Sequence, residues 1–160
     1  MTPTNEAVLI QELRRDEGVR YVPYADSKGI PTVGVGHNLR AAPLPLGWSY
    51  PLTDGQVNLL LDNDLLNVYH DLDRDLPWWE TLCDVRQRVM CNMAFNLGTN
   101  GLMTFRNTLT AIRQGRYSDA KAGMLNSLWA QQVGARATRL ADMMEEGEAY
   151  QATQSQESES

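Results

Sequence analysis

Two carboxylates and a hydroxyl lie close together near the N-terminus, in a pattern that could carry out acid-assisted hydrolysis. Glu17 stands just before Gly18 at the predicted end of a helix, and Asp26 opens the turn Asp26-Ser27-Lys28-Gly29. Thr32 follows on the returning strand, and its hydroxyl can both donate and accept a hydrogen bond. A protonated carboxyl group that faces an ionised one is the arrangement that hydrolyses glycosidic bonds. The pattern therefore indicates a glycosidase site.

Glu17 occupies an unfavourable place for a carboxylate. Helix C-termini favour basic residues, because the backbone dipole is negative there. Glu17 also shares a helix face with Ile10 and Leu13, so we expect it at or near a buried seam. Burial and the dipole both favour the protonated form, which a general acid requires. Asp26, in a solvated turn, is expected to stay ionised.

Taken one at a time, these residues have ordinary explanations. A glutamate before a helix-ending glycine is usually a surface residue, an aspartate in such a turn usually stabilises the turn, and threonine favours strands. Only the combination indicates chemistry, because the helix, turn and strand would place all three side chains around one hollow.

The stretch E-G-x-R…Y-x-D-x-x-G-x-x-T-x-G-x-G-H resembles the phage lysozymes of the T4 type (glycoside hydrolase family 24). The resemblance implies a muramidase that cuts the β-1,4 bond between N-acetylmuramic acid and N-acetylglucosamine in peptidoglycan. Glu17 would be the general acid, and Asp26 and Thr32 would hold the attacking water, with inversion at the anomeric carbon. The implied fold is α+β and mostly helical. It has two lobes, with a small antiparallel sheet in the N-terminal lobe, a long connecting helix and a helical C-terminal lobe.

The resemblance extends over about residues 8–146 and implies further roles. Arg136 would form a salt bridge with the catalytic glutamate, and His37 and Asp64 would form a stabilising ion pair. Implied substrate-binding residues are Asn38, Phe95, Asn96 and Thr108. Two departures from the family affect substrate subsites: Gly123 stands where the family example has an asparagine, and the 40–51 loop is shorter and differently composed.

The elements that must position these residues follow from periodicity and breakers. Thr4 is a candidate cap for a first helix over about 5–17, and Thr53-Asp54-Gly55-Gln56 is a capping box that opens a long helix ended by Pro77. Further helices are predicted over about 79–97, 105–114, 117–127 and 134–146, with Gly98-Thr99-Asn100-Gly101 as a stop and Trp129 in the core. We expect one domain over 1–150. Within it, the N-terminal lobe covers about 14–58, the linking helix about 53–75 and the helical lobe about 70–147 together with the first helix. A disordered polar tail is expected over 151–160.

Composition excludes several classes of function. The net charge is −6, and residues 145–160 carry five glutamates and no basic residue, so the rest of the chain is almost neutral. No basic stripe indicates nucleic-acid binding, and no apolar run is long enough for membrane insertion. With two histidines, and Cys83 and Cys91 about 12 Å apart on one predicted helix, we expect free thiols, no metal site and no cofactor.

Other functions and settings stay open at this stage. A lytic transglycosylase also uses one glutamate but does not need Asp26 and Thr32, and a non-catalytic glycan-binding module would need none of the three. The expected partner is the peptidoglycan glycan strand, bound by a monomer. We expect no export signal, because the first 15 residues lack a basic stretch followed by an apolar run. We therefore expect an endolysin that stays in the host cytoplasm and depends functionally on a holin before it acts on the wall. A lysozyme carried in the virion would have the same motif.

Overall fold

The computed structural model describes the backbone of residues 1–159 and the side chains of residues 1–154. The described chain is mostly helical, with one small antiparallel sheet near its N-terminus, as the α+β prediction required. The elements in chain order are α1 (Pro3–Glu17), β1 (Arg20–Ala25), β2 (Pro31–Gly34), β3 (His37–Asn38), α2 (Asp54–Asp75), a 3₁₀ turn (Trp79–Thr81), α3 (Asp84–Leu97), α4 (Thr99–Met103), α5 (Arg106–Arg113), α6 (Tyr117–Leu125), α7 (Leu128–Val133), α8 (Ala135–Glu146) and α9 (Glu148–Glu159).

Helix α1 begins two residues earlier than predicted. The Thr2 side chain, not that of Thr4, accepts a hydrogen bond from the Asn5 backbone amide, and Pro3 takes the first helical position. Proline suits that position because its missing N–H would have no helical partner there. Leu9 and Leu13 are fully buried. The helix ends at Glu17, as predicted, and Gly18 follows with a positive φ of 75°.

The sheet is an antiparallel meander in the order β1-β2-β3. The turn between β1 and β2 closes through hydrogen bonds from the Asp26 amide to the Ile30 carbonyl and from the Gly29 amide to the Asp26 carbonyl. Tyr24 pairs directly with Thr32, so their side chains lie on the same face of the sheet. The predicted hairpin is confirmed, and it brings the turn aspartate and the strand threonine together.

Helix α2 connects the sheet to the helical part of the chain. The predicted capping box is present: Thr53 accepts from the Gln56 amide, and the Gln56 side chain accepts from the Thr53 amide. The helix has 22 residues and is therefore about 33 Å long. It packs on β2 and β3 at one end and on α3 and α4 further along, and it ends before Pro77 as predicted.

The helices of the C-terminal region differ from the predicted helices at three places. The helix predicted over 79–97 is a 3₁₀ turn followed by α3, which begins after Cys83. Gly98 does end α3, but α4 begins at once at Thr99, so the predicted stop is only a change of direction. The segment that holds Trp129 is itself a short helix, α7, opened by the Ser127 hydroxyl. Trp129 is buried, as predicted.

The predicted disordered tail is helical in the described residues. Helix α9 follows α8 at Gly147 and runs to Glu159; Ser160 lies outside the described residues. Tyr150 packs on the core, and Arg88 donates a hydrogen bond to the Gln151 side chain. The hydrogen bond connects the start of α9 to α3, and composition alone does not reveal either contact.

No helix within residues 1–159 is both long and apolar enough to cross a membrane. Cys83 and Cys91 are free thiols, and Cys91 is buried.

Candidate active site

A cleft of about 670 Å³ separates the sheet from the helical lobe. The sheet side contributes residues of the β1–β2 hairpin, the β2–β3 turn and β3, and the helical side contributes the end of α3 and residues of α7. The lining includes Glu17, Tyr24, Asp26, Thr32, Gly36, Asn38, Phe95, Asn96, Trp129 and Gln132. Six of the residues singled out in the sequence thus lie around one space: Glu17, Asp26, Thr32, Asn38, Phe95 and Asn96.

Glu17 reaches the cleft from the last residue of α1. Its side chain is 18% exposed, and Oε1 accepts a 2.8 Å hydrogen bond from Nη1 of Arg136. Oε2 lies on the other side, 2.9 Å from the point where a Cβ of residue 36 would stand. Gly36 has a positive φ of 62°, so both its backbone and its lack of a side chain make room for the carboxylate.

Buried polar groups surround Arg136 behind Glu17. The guanidinium donates from Nε and Nη2 to Oδ1 of Asn92, at 3.0 and 2.8 Å, and Nε lies 3.7 Å from Asp16. Asp16 has no exposed side-chain surface; it accepts from Nδ2 of Asn92 at 3.0 Å and forms a 2.7 Å ion pair with Arg139. This set, which we call the arginine network, consists of Asp16, Asn92, Arg136 and Arg139.

The arginine network stabilises charge on Asp16. Burial is the largest single influence and would raise the pKa of this carboxyl group. The hydrogen bond from Asn92, the contacts with Arg139 and Arg15 and the charge of Arg136 together outweigh it, so the pKa of Asp16 lies below 3.8. Asp16 therefore stays ionised and balances part of the arginine charge next to Glu17.

Among the described residues, Asp26 is held by hydrogen bonds within its own turn alone. Its Oδ1 accepts from the backbone amides of Lys28 and Ile30, at 2.8 and 2.9 Å. Both of these bonds go to one oxygen, so Oδ2 can accept a hydrogen bond from a molecule in the cleft. The carboxylate is half-buried at the rim of the cleft.

Thr32 and Tyr24 lie next to each other on the floor of the sheet side. The Thr32 side chain is buried, and its hydroxyl donates to the Ile30 carbonyl at 2.8 Å, which leaves the oxygen lone pairs as acceptors. Burial and then the charges of Glu17 and Asp26 raise the pKa of Tyr24, against the lowering effect of Arg20. The negative charges of both carboxylates thus favour the neutral phenol form of Tyr24.

His37 and Asp64 lie in contact away from the cleft lining. Nδ1 of His37 is 2.7 Å from Oδ2 of Asp64, and Nε2 is 2.7 Å from the Ala42 carbonyl. The pair joins β3 to α2 and so anchors the sheet side. Burial has the largest effect on the pKa of His37 and lowers it. Asp64, with the Ala42 carbonyl, outweighs that effect and holds the pKa above 6.5.

The implied substrate-binding residues are not all in the cleft. Asn38, Phe95 and Asn96 line it, although Asn96 Oδ1 accepts from the Trp129 indole at 2.7 Å and Asn38 Oδ1 accepts from the Arg40 and Ala41 amides. Thr108 lies instead in a neighbouring hollow that shares Trp129 with the cleft. The structure therefore does not bring Thr108 together with Glu17.

Sequence reasoning missed several residues of this site. Tyr24 could have been found, because it lies on the predicted strand that leads into the Asp26 turn and faces the strand of Thr32. Asp16 directly precedes Glu17 and Arg139 follows Arg136 by three residues, but their mutual contact links α1 to α8 and has no local sequence pattern. Among the described residues, no three His, Cys, Asp or Glu side chains are grouped so as to hold a metal ion.

Comparisons with known proteins point to one family. A family model described as phage lysozyme matches residues 14–147. The chain is 30% identical over 152 residues to the pre-baseplate central spike protein Gp5 of Enterobacteria phage T4; this alignment covers 82% of the chain but only 26% of that protein. It is 26% identical over 156 residues to probable T4-type lysozyme 1 of Dictyostelium discoideum, covering 84% of the chain and 92% of that protein. It is also 32% identical over 91 residues to the endolysin of Salmonella phage P22, covering 56% and 60% of the two chains.

Proposed function

Because this chain belongs to the phage lysozyme family, we propose that it is a muramidase, which hydrolyses the β-1,4 bond between N-acetylmuramic acid and N-acetylglucosamine in peptidoglycan. One observation carries the proposal. Glu17, paired with Arg136, lines the same cleft as Asp26 and Thr32. Two carboxyl groups in unlike surroundings across a sugar-sized cleft suit glycoside hydrolysis.

Glu17 is the proposed proton donor. Arg136 holds Oε1, so Oε2 carries the proton and delivers it to the glycosidic oxygen as the bond to the anomeric carbon breaks. The leaving sugar departs as a neutral alcohol, and Glu17 is left as a carboxylate. Arg136 then stabilises that charge, and the buried contacts of its guanidinium keep the acid oriented.

Asp26 and Thr32 are the proposed holders of the attacking water. The water donates one hydrogen bond to Oδ2 of Asp26 and another to the Thr32 oxygen. The Thr32 hydroxyl itself donates its hydrogen bond to the Ile30 carbonyl, so its oxygen is free to accept. The water oxygen bonds to the anomeric carbon from the face opposite the leaving group, and Asp26 takes the released proton. Its negative charge also stabilises the positive charge that develops on the sugar ring.

Attack from the opposite face inverts the anomeric carbon, so the first product of a β-linked substrate is the α-anomer. Purified peptidoglycan is digested, and the new anomeric protons are followed by NMR before mutarotation. The masses of the released muropeptides are measured by mass spectrometry. The α-anomer at a muramic acid reducing end supports the proposal. A β-anomer contradicts the role of Asp26, and an anhydro-muramic product identifies a lytic transglycosylase. Binding without turnover identifies a glycan-binding module.

The biological setting has two candidates. As an endolysin, the protein would accumulate in the host cytoplasm and depend on a holin for access to the wall. The 30% identity with a phage spike protein favours a second setting, a wall-degrading enzyme carried in the virion. Immunoblots of purified virions and of infected-cell lysates separate the two, since only a virion component stays with the particles.

A further inference from the structure

The β1–β2 hairpin brings one further side chain to the proposed catalytic residues. Tyr24 pairs directly with Thr32 across the two strands, and the side chains of such a pair lie on the same face of the sheet, with their Cβ atoms about 5 Å apart. Tyr24, Thr32 and Asp26 line the cleft together with Glu17. Tyr24 therefore lies within the proposed catalytic centre, although neither proton donation nor water activation requires it.

Packing in the core does not account for Tyr24. Its side chain is half-buried, and among the described residues it is not one of the hydrophobic side chains that pack on the core, which include Tyr69 and Tyr150. Its ring instead lies beside the guanidinium of Arg20, with Cζ 5.2 Å from the ring centroid. A cation at this distance is attracted to the face of an aromatic ring. This contact orients the ring and does not occupy the hydroxyl.

The hydroxyl of Tyr24 is an unused hydrogen-bond donor in the cleft. It makes no hydrogen bond with any side chain or backbone group of the described residues, whereas the hydroxyl of Tyr21, on the same strand, donates to Asp54 at 2.6 Å. Burial, and then the charges of the two catalytic carboxylates, hold the pKa of the Tyr24 phenol above 10. The group therefore stays protonated at neutral pH and acts as a donor rather than as a base.

We propose that Tyr24 is a further substrate-contacting residue, whose hydroxyl donates a hydrogen bond to an oxygen of the sugar whose glycosidic bond is broken. The inference rests on the proposed muramidase function and adds a residue to it. A hydrogen bond from this position fixes the sugar beside both the proton donor Glu17 and the water holder Thr32. Such alignment accelerates the reaction because the contact is kept in the transition state.

The roles of Asp26 and Thr32 favour the sugar over the attacking water as the partner of Tyr24. A water molecule that donates to both residues has used both of its hydrogens, and it needs its lone pairs for the bond to the anomeric carbon. A phenol that donated to this oxygen would withdraw electron density from the nucleophile and slow the attack. The sugar offers hydroxyl, ether and acetamido oxygens that accept a hydrogen bond without this cost.

Tyr24→Phe tests the inference, because it removes one oxygen and keeps the ring and its contact with Arg20. We expect kcat/KM on purified peptidoglycan to fall about tenfold, as for the loss of one neutral hydrogen bond in the transition state. The pH at which activity rises and falls should stay at the wild-type values, since no charged group is changed. Tyr21→Phe, the same substitution on the same strand but outside the cleft lining, should keep wild-type activity.

Binding to an inactive protein separates this inference from the muramidase proposal. In a Glu17→Gln background, calorimetry measures the affinity for a soluble tetrasaccharide of alternating N-acetylglucosamine and N-acetylmuramic acid, with and without Tyr24→Phe. An affinity that falls severalfold supports the contact. Unchanged affinity overturns it, and so does a shifted pH profile of activity, which would show that Tyr24 acts on the carboxylates instead. If the wild-type protein binds the tetrasaccharide through Tyr24 but cleaves no peptidoglycan, the muramidase proposal fails while the sugar contact stands.

Discussion

Glu17 and Asp26 face one cleft, but contacts of very different range hold them in place. The partner of Glu17 is Arg136, 119 residues away, and that arginine is fixed in turn by Asn92 and Asp16. The partners of Asp26 are the amides of Lys28 and Ile30, two and four residues away. One carboxylate depends on the tertiary fold, and the other depends on a turn.

The difference matches the two proposed tasks. A proton donor at a helix end needs a fixed orientation and a controlled charge balance, and only buried partners from other helices supply these. A group that holds water needs an ionised and accessible oxygen, which a solvated turn provides without long-range support. Changes on the Glu17 side should therefore affect activity and stability together, whereas changes at Asp26 should affect activity alone.

The largest expected effect is that of Glu17→Gln. The amide keeps the shape and can still accept from Arg136 through its oxygen, but it cannot donate a proton in the reaction. We expect kcat to fall about a thousandfold or more. Turbidity assays on peptidoglycan measure the loss, and circular dichroism checks the fold. A variant that retains most of the lytic activity would show that the acid is another residue.

Asp26→Asn should come next. The asparagine oxygen can still accept from the Lys28 and Ile30 amides, so the turn remains, but the charge and the base are lost. We expect activity to fall about a hundredfold and the free energy of unfolding to change by less than about 0.5 kcal/mol. Urea titration beside the activity assay checks both. A clear loss of stability would contradict the local character of this side.

Arg136→Met tests the buried contacts that hold Glu17. Methionine fills part of the space but leaves the Asp16 carboxylate buried with one charged partner fewer and the Asn92 oxygen without its donor. We expect a loss of about 3 kcal/mol in unfolding free energy, together with reduced activity. Arg113→Met, at an exposed position, serves as the control in the same urea titrations. Full stability combined with low activity would show that the arginine network acts on Glu17 alone.

The arginine network behind Glu17 should stabilise the fold less at low pH. The pKa of Asp16 lies below 3.8 in the folded state, so its stabilising effect is complete above pH 3.8 and is lost as the pH falls through the folded value. Asp16→Asn should be less stable at neutral pH and lose less stability on acidification. Asp75→Asn, in an exposed pair with Arg74, should change the slope far less. Unfolding free energies between pH 5 and about 2 decide this.

The His37–Asp64 pair should stabilise the sheet side less at high pH, and this is the smallest of the expected effects. The pKa of His37 lies above 6.5, so the stability it contributes with Asp64 is complete below pH 6.5 and is lost as the pH rises through the folded value. Asp64→Asn should remove about 1 kcal/mol of this decline. His70→Asn, at an exposed position of the same helix, is the control. Equal slopes in wild type and Asp64→Asn between pH 6 and about 9 would contradict the assignment.

Local patterns predicted much of the fold. The Thr53–Gln56 capping box, the Asp26–Gly29 turn and the end of α2 before Pro77 are all confirmed, because each depends on a few neighbouring residues. The helices α4, α7 and α9 were not predicted. They are short or polar, and their stability comes from packing, such as that of Trp129 and Tyr150, rather than from their own sequence.

The sequence alone determined the local parts of this protein: a glutamate at a helix end, an aspartate in a turn and a threonine on the paired strand. Their spacing is set by backbone geometry, which acts over a few residues. The family resemblance implied the contact between Arg136 and Glu17, but only the tertiary structure decided that Asp16, Asn92 and Arg139 surround that arginine, and that Thr108 lies in a neighbouring hollow. Those contacts join helices far apart in the chain, and burial rather than sequence neighbourhood determines which side chains pair.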